Sequence, residues 1–493
     1  MNRSIIRYIL GNVLKIEAVF LLFPCLISVI YKESEGVSYL LVAIISALVG
    51  FAFTAYKPTS DVFYLKEGCI TTAASWIVMS LVGALPFVFT KEIPSFTDAL
   101  FETISGFTTT GASILNDVEA LSHCSLFWRS FTHWIGGMGV LVFLLAVVPM
   151  SGGSNINLMK AESPGPSVGK LVPKMRHSAR ILYLIYLVMT IAEMIFLLVG
   201  GMPIFDAITL SIGTAGTGGF GILNDSIASY TPYMQWVITI FMILFAINFN
   251  AYYFILLKEF KKAFSLSEVR TFLGIVLVAS GIITVELVRG SMNIVDALRH
   301  AFFQVASVIS TTGFATIDYD LWSGASKTVL ILVMFIGGCA GSTAGGTKVS
   351  RLVILVKTVA KEITNYIHPR SIKKIKMDDK SIEHEVVRAT NVYFITFFML
   401  FALSVFIVSF EEKDLVTNFT AVLATINNIG PGLSMAGPTE NYAHFTPLTK
   451  YVLMFDMLAG RLELFPLLLI FVPSIWKDFF FRNETHLKNI SKK

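Results

Sequence analysis

The sequence predicts an all-α polytopic membrane protein: two N-terminal transmembrane helices, then four helix–re-entrant pore loop–helix repeats around a central cation pore. Three observations lead there. Only 14% of the 493 residues are charged while 55% are hydrophobic, too little charge to coat a soluble chain, which carries about 25%. Apolar runs long enough to cross a bilayer recur from one end to the other. Between them lie four apolar segments that each run into glycine and small polar residues. This composition excludes a cytosolic enzyme, a disulfide scaffold and a disordered chain. Cys25, Cys69, Cys124 and Cys339 are scattered without metal-ligand spacing and read as small apolar fillers.

Taken in order against a hydrocarbon core about 30 Å thick, ten spans are expected. They are approximately 8–31, 38–56, 67–90, 126–150, 181–201, 233–257, 270–290, 326–347, 389–410 and 447–472. With the N-terminus in the cytoplasm, 28 of the 38 Lys and Arg fall in segments assigned to the inside and 8 outside. That asymmetry follows the positive-inside rule and puts both termini in the cytoplasm. Arg3 and Arg7 precede an apolar stretch without a small-residue cleavage site, which reads as an uncleaved first span. The basic 350–388 segment, with Arg370, Lys373, Lys374 and Lys376, reads as an orientation signal and a lipid headgroup contact, with a docking surface as the alternative.

The four intervening segments have cores at Asp98–Ile114, Asp206–Ile222, Arg299–Ile317 and Thr417–Met435. Each reads as a short helix followed by TTTGAS (108–113), GTGGFG (216–221), STTGFAT (310–316) or NNIGPG (427–432). Aligned on one glycine they place Gly111, Gly219, Gly313 and Gly430 in register, 108, 94 and 117 residues apart. Phe101 then matches Phe303, and Ser105 matches Ser307. This is an internal repeat at domain scale. Its expected units are 61–160, 161–262, 263–360 and 361–493, after two extra helices in 1–60.

Non-helical backbone at membrane depth survives only where it is buried in protein or lines water. Four such stretches can satisfy that constraint together by converging on one axis, where carbonyl oxygens replace the hydration shell of a cation. Glycine permits φ > 0 and close approach of the backbone, and each short helix aims the negative end of its dipole at the centre. The expected filter is Thr109, Thr110, Gly111, Gly218, Gly219, Thr311, Thr312, Gly313, Asn428, Ile429 and Gly430. Its cation oxygens are assigned to Thr110, Gly111, Gly218, Gly219, Thr312, Gly313, Ile429 and Gly430. Acidic residues beside the loops (Asp98, Asp117, Asp206, Asp225, Asp318 and Asp320) would concentrate cations at a pore mouth, with Asp98 and Asp206 also expected to cap their short helices.

At these residues the chain resembles the Trk/Ktr/HKT superfamily of potassium transporters, and within it the TrkH-type bacterial subunits. The resemblance rests on SGFTTTGAS (105–113), HWIGGMGV (133–140), AESPGPSVGKLVPK (161–174), STTGFAT (310–316), GGCAGSTAGGTKVSR (337–351) and GRLELFP (460–466), in that order. It implies four pore-forming units around one potassium pathway in a bacterial inner membrane, and a homodimer. It also implies a cytoplasmic nucleotide-binding partner of the TrkA type. The family's filter glycines carry over onto Gly111, Gly219, Gly313 and Gly430. Related plant transporters that prefer sodium often have serine at the first, so Gly111 favours potassium.

Within the eighth span, Gly337, Gly338, Gly341, Gly345 and Gly346 fall in ten residues. At about 1 kcal/mol each relative to alanine, such a run should unwind, and the resemblance gives it a gating role; close helix packing through small residues is the alternative. Arg461 in the tenth span is expected either to raise a barrier to cations and move with the gate, or to pair with Asp456 or Glu463. Lys348 and Arg351 are either anchors at the membrane surface or a lever for the partner. GSTAGGTK (341–348) separates its last glycine from lysine by Thr347 and so is no phosphate loop; no nucleotide site is expected on this chain, and no nucleic acid partner. Two transport classes stay open: channel-like permeation gated from the cytoplasm, and symport coupled to Na⁺ or H⁺ by alternating access.

Overall fold

The computed structural model describes residues 2–58, 64–139, 175–369, 374–378 and 380–474. The motif at 161–174, the far half of the fourth expected span and the basic tail from 475 lie outside the described residues.

The first span is α1 (Arg3–Phe20) continued by α2 (Leu22–Tyr31). It starts where the Asn2 side chain accepts from the Ile5 amide, and it ends at Lys32, which is left-handed. α3 (Gly36–Thr54) returns along α1. The two cross at glycines: a Cβ on Gly11 would lie 2.9 Å from Gly50 O, and one on Gly50 2.8 Å from Gly11 O. Small residues of this kind let membrane helices approach closely where no hydrophobic force drives them together. Gly11→Leu is therefore expected to destabilise this pair by about 1–3 kcal/mol, seen as a lower melting temperature in detergent; an unchanged melting temperature would contradict the close crossing.

Four units of the same construction follow. The first is α4 (Leu65–Thr90), α5 (Phe96–Phe107) and α6 (His123–Met138). The second is α7 (Met175–Val199), α8 (Ile204–Gly216) and α9 (Pro232–Ala246), with α10 (Phe249–Leu256) and α11 (Phe260–Ser265) behind it. The third is α12 (Ser267–Arg289), α13 (Ile294–Ile309) and α14 (Gly324–Met334), from which α15 (Val349–Ile367) leads away. The fourth is α16 (His384–Val408), α17 (Leu415–Ile426), α18 (Pro447–Leu462) and α19 (Leu464–Leu468). A two-stranded hairpin, Lys376–Met377 against Lys380–Ser381, precedes α16.

The outward faces of the spans carry exposed large apolar side chains such as Leu26, Val29, Leu48, Phe51, Val188, Phe196, Val278 and Phe406. The interior holds many buried Ser and Thr. In lipid this is the expected distribution, because acyl chains solvate apolar side chains while polar groups must find partners inside.

Among the described residues, six helices are long and apolar enough to cross a membrane, and a seventh span is the pair α9–α10, bent by 91°. The ten expected spans are thus too regular. The second long helix of each unit is interrupted or ends short: α6 ends at Gly139, the last described residue there, and the helix breaks at Ile247 between α9 and α10, after Phe335 in the third unit, and at Glu463 between α18 and α19. Gly139 and Glu463 both have positive φ. The first and third of these points carry glycine runs, Gly136, Gly137 and Gly139 in the one and 337–346 in the other. The second and fourth fall at isolated polar residues, Asn248 in the one and Arg461 and Glu463 in the other, and a hydropathy window averages such residues away because it records the transfer of side chains and not the path of the backbone.

Candidate functional site

The short helices α5, α8, α13 and α17 end in four loops of one conformation. One residue after each C-cap or at it, the chain turns left-handed at Thr109, Thr217, Thr311 and Asn428, with φ of 56°, 53°, 58° and 56°. Two residues on, Gly111, Gly219, Gly313 and Gly430 have φ of 78°, 82°, 90° and 93°. A non-glycine residue in the left-handed region costs about 1–2 kcal/mol. Here two hydrogen bonds over-determine it in every copy. The residue before each glycine donates to the carbonyl five back: Thr110 to Ser105 and Thr312 to Ser307 at 2.8 Å, Gly218 to Gly213 at 3.0 Å, and Ile429 to Ala424 at 2.8 Å. The left-handed residue donates three back, to Gly106, Thr214, Val308 and Thr425. This is the Schellman-type ending of a helix, used four times.

The loops meet in a closed cycle. A Cβ added to Gly111 would lie 2.1 Å from Gly218 O, one on Gly219 1.8 Å from Thr312 O, one on Gly313 2.2 Å from Ile429 O, and one on Gly430 2.6 Å from Thr110 O. Each glycine thus faces the carbonyl of the residue preceding the glycine of the next unit, in the order one, two, three, four, one. Thr110, Gly218, Thr312 and Ile429 are buried, and among the described residues no hydrogen-bond donor reaches their four carbonyl oxygens. Buried carbonyls are normally paired, so a ring of four without donors is a set of oxygens able to serve another electropositive group. The carbonyl ends of four helices converge on the same place and add partial negative charge. Among the described residues no group of three or more His, Cys, Asp or Glu could hold a metal ion; the oxygens on offer here are main-chain ones.

Hydroxyls stiffen the loops: Thr108 pairs with Thr110 at 2.8 Å, and Ser310 with Thr312 at 2.6 Å. In the fourth loop Asn428 donates to Thr110 Oγ1 at 3.0 Å and to Met457 O at 2.8 Å, and the Tyr442 hydroxyl donates to Gly430 O at 2.7 Å.

The stretch 335–348 leaves the helix and lies against the left-handed residues. The Thr217 hydroxyl donates to Thr343 O at 3.0 Å, and the Gly345 amide donates to Thr311 Oγ1 at 2.6 Å. A Cβ on Gly345 would lie 2.8 Å from Asn427 O. Gly337 and Gly346 touch each other's backbone, and Gly337, Gly341 and Gly346 have positive φ, as has Lys348. Gly338 accepts from the Val349 amide at 3.0 Å. The Lys348 ammonium donates to Ala344 O. Repeat two supplies Phe245 O and Ala246 O as acceptors for Thr343 and Cys339.

Arg461 is placed among carbonyls. It donates to Thr343 O at 2.7 Å, Gly136 O at 2.6 Å and Gly137 O at 2.8 Å, so one side chain joins the fourth unit, the first unit and the unwound stretch. Of the two acids expected near it, Glu463 holds the Arg351 guanidinium and Asp456 accepts from Ser404 at 2.8 Å. Glu268 ties the stretch to the start of α15: it accepts from the Ala340 amide at 2.6 Å, the Ser350 amide at 3.1 Å and Asn248 at 3.2 Å. Glu268→Ala is expected to loosen the stretch and raise basal cation flux several-fold by about 1 kcal/mol of lost hydrogen bonding; ⁸⁶Rb⁺ uptake equal to the parent protein's would refute the tie.

Asp98 and Asp206 are not caps. Ser95 caps α5, and Pro203 precedes α8. Both acids sit in the first helical turn, where a carboxylate complements the dipole, and bind Lys450 at 2.6 Å and the Tyr230 hydroxyl at 3.0 Å. Sequence reasoning missed Thr217, although counting two residues back from each aligned glycine finds it. It also missed Glu102, Arg129 and Glu268, whose one available signal was an ionisable residue inside or beside an apolar run.

The model of the TrkH family, described as a cation transport protein, matches residues 37–482. The Trk system potassium uptake protein TrkH of Salmonella typhimurium is 34% identical over 488 residues, covering 97% of this chain and 100% of that protein. TrkG of the same system in Escherichia coli K12 is 32% identical over 490 residues, again covering 97% and 100%. The crystal structure of the potassium transporter TrkH from Vibrio parahaemolyticus superposes with a TM-score of 0.86 at 31% identity, over 96% of this chain and 99% of that one.

Proposed function

The chain belongs to the TrkH family of cation transport proteins, and from that premise we propose that it takes up K⁺ through the ring of four loops, passively and under control from the cytoplasm. The single observation that carries the reading is the closed cycle of glycines against neighbouring carbonyls. Oxygens without donors, on rigid loops at the negative ends of four helices, can replace the water around a dehydrated K⁺. Those of Thr110, Gly218, Thr312 and Ile429 would line that path together with the oxygens of Gly111, Gly219, Gly313 and Gly430, the last also bonded by Tyr442, with Thr109, Thr311 and Asn428 setting the loop bend. K⁺ is the cargo.

The stretch 337–346 is the proposed gate. Gly337, Gly338, Gly341, Gly345 and Gly346 give it a backbone free to rearrange, while Arg461 and Lys348 hold it shut and put positive charge beside the path. The continuation of the stretch into α15 gives a cytoplasmic partner of the TrkA type something to pull. The distribution of basic residues supports cytoplasmic termini and contact with anionic lipid headgroups. The family supports an assembly of two chains, and the units 61–160, 161–262, 263–360 and 361–493 after the leading pair 1–60.

The test is ⁸⁶Rb⁺ uptake and reversal potential in proteoliposomes holding this chain alone, then with the partner added. A reversal potential that follows the K⁺ gradient alone is the expected result. One that moves with a Na⁺ or H⁺ gradient would establish coupled symport instead, and no cation flux under either condition would defeat the pore.

A further inference from the structure

Each neighbouring pair of loops is strapped by a different device. Loops two and three share a main-chain bond from Ile227 to Ala315 O at 3.0 Å. Loops three and four are joined by the Tyr319 hydroxyl, which donates to Gly432 O at 3.0 Å. Loops four and one are joined by the Tyr442 amide, which donates to Ser113 O at 2.8 Å. Loops one and two are joined by Asn224, which accepts from the Val118 amide at 2.7 Å and donates to Asp117 at 2.9 Å and Glu119 at 3.0 Å, and, nearer the two glycines in sequence, by a buried ion pair. Arg129 on α6 donates to Glu102 on α5 at 2.8 Å, with side chains 2% and 0% exposed.

The pair reaches the same point of both loops. Glu102 accepts from the Ser113 hydroxyl at 3.0 and 3.1 Å and from the Ile114 amide at 3.0 Å, two and three residues beyond Gly111. Arg129 donates onward to Gly221 O at 3.2 Å, two residues beyond Gly219, and its guanidinium lies 4.2 Å from the centre of the Phe220 ring. Its remaining arm lies 3.4 Å from Ser113 Oγ. Nine residues before the other three glycines stand Leu210, Gln304 and Ala421. Gln304 anchors its own loop, donating to Phe314 O at 3.2 Å, so a neutral amide is enough to hold one loop. A charged pair is costly to bury, and its added capacity here is to bridge two.

We infer that Glu102 and Arg129 act together as a specificity-determining pair, holding loops one and two at the separation that suits K⁺ and disfavours the smaller Na⁺. The inference rests on the proposed K⁺ path. Both residues are positioning residues that act through the loops. Removing either partner releases the bridge nearest the two glycines, and it also leaves one buried charge uncompensated beside the path. A lone Arg129 repels cations and a lone Glu102 attracts them, so the two single variants should move flux in opposite directions while sharing a loss of selectivity.

The experiment measures K⁺/Na⁺ reversal potentials and ⁸⁶Rb⁺ uptake in proteoliposomes of the full chain and of Glu102→Gln, Arg129→Gln, the double variant and Arg129→Lys. The permeability ratio is expected to fall at least about tenfold in both Gln variants and in the double, as filter spacing is lost. Flux should fall in Glu102→Gln and hold or rise in Arg129→Gln. Arg129→Lys keeps the charge but lacks the planar fork that spans Glu102 and Gly221; it should retain flux and lose selectivity. If the parent protein is K⁺-selective and the folded variants keep its ratio, the inference is overturned. Where the Gln variants do not reconstitute, an unchanged ratio in Arg129→Lys overturns it alone. A parent protein with no K⁺-selective flux would count against the transport reading instead.

Discussion

Gly219→Ala is expected to abolish K⁺-selective uptake, with ⁸⁶Rb⁺ flux falling at least about 100-fold, equivalent to about 2.7 kcal/mol. The new Cβ would sit 1.8 Å from Thr312 O and 2.9 Å from Thr312 C. Both obstacles are backbone of the neighbouring loop, so no change of rotamer relieves them. The φ of +82° adds strain for any L side chain. The same substitution at Gly111, Gly313 and Gly430 meets a carbonyl at 2.1, 2.2 and 2.6 Å, which predicts the gentlest effect at Gly430. Helix content and the size of the detergent-solubilised protein should stay unchanged, since each clash is confined to the ring. Parental flux and selectivity in a folded Gly219→Ala protein would remove the ring from the conduction path.

Arg461→Ala is expected to act in the opposite direction, raising basal ⁸⁶Rb⁺ uptake by the chain without any partner. Three hydrogen bonds from a charged donor are lost, to Thr343, Gly136 and Gly137. Bonds to charged groups contribute about 1.5–3 kcal/mol each, so loss of even one or two would shift a closed-to-open equilibrium by about 10- to 100-fold or more. The substitution also removes a positive charge next to the path. Arg461→Lys should fall between, because an ammonium keeps the charge but cannot reproduce the planar fork across two units. Unchanged or lower uptake in a well-folded Arg461→Ala protein would refute a holding role.

Much of the ring was legible in the sequence. Ser105 and Ser307, matched six residues before the glycines, are the residues whose carbonyls close the loops, and Gly111, Gly219, Gly313 and Gly430 adopt equivalent backbone conformations. The divergent NNIGPG makes the same turn with Asn428 in the left-handed position, a conformation asparagine tolerates better than most residues. The unwinding of 337–346 was legible too, because five glycines in ten residues weaken a helix wherever they fall. The breaks after Ala246 and Leu462 were not, since a few polar residues such as Asn248 and Glu463 inside an otherwise apolar window do not by themselves mark where its backbone turns. Nor was the placement of Arg461, which donates to Thr343 O and to two carbonyls more than three hundred residues away in the first unit.

By itself the sequence determined partition into lipid, the number and spacing of the loops, and the glycines at which the backbone takes positive φ. These depend on the transfer energy and steric freedom of individual residues and their near neighbours. Tertiary structure alone decided that the loops close in cyclic order, that Glu102 and Arg129 strap two of them together, and that one arginine joins three segments. Those are approaches of a few ångström between residues far apart in the chain, and no local preference specifies which distant carbonyl a glycine or a guanidinium will meet.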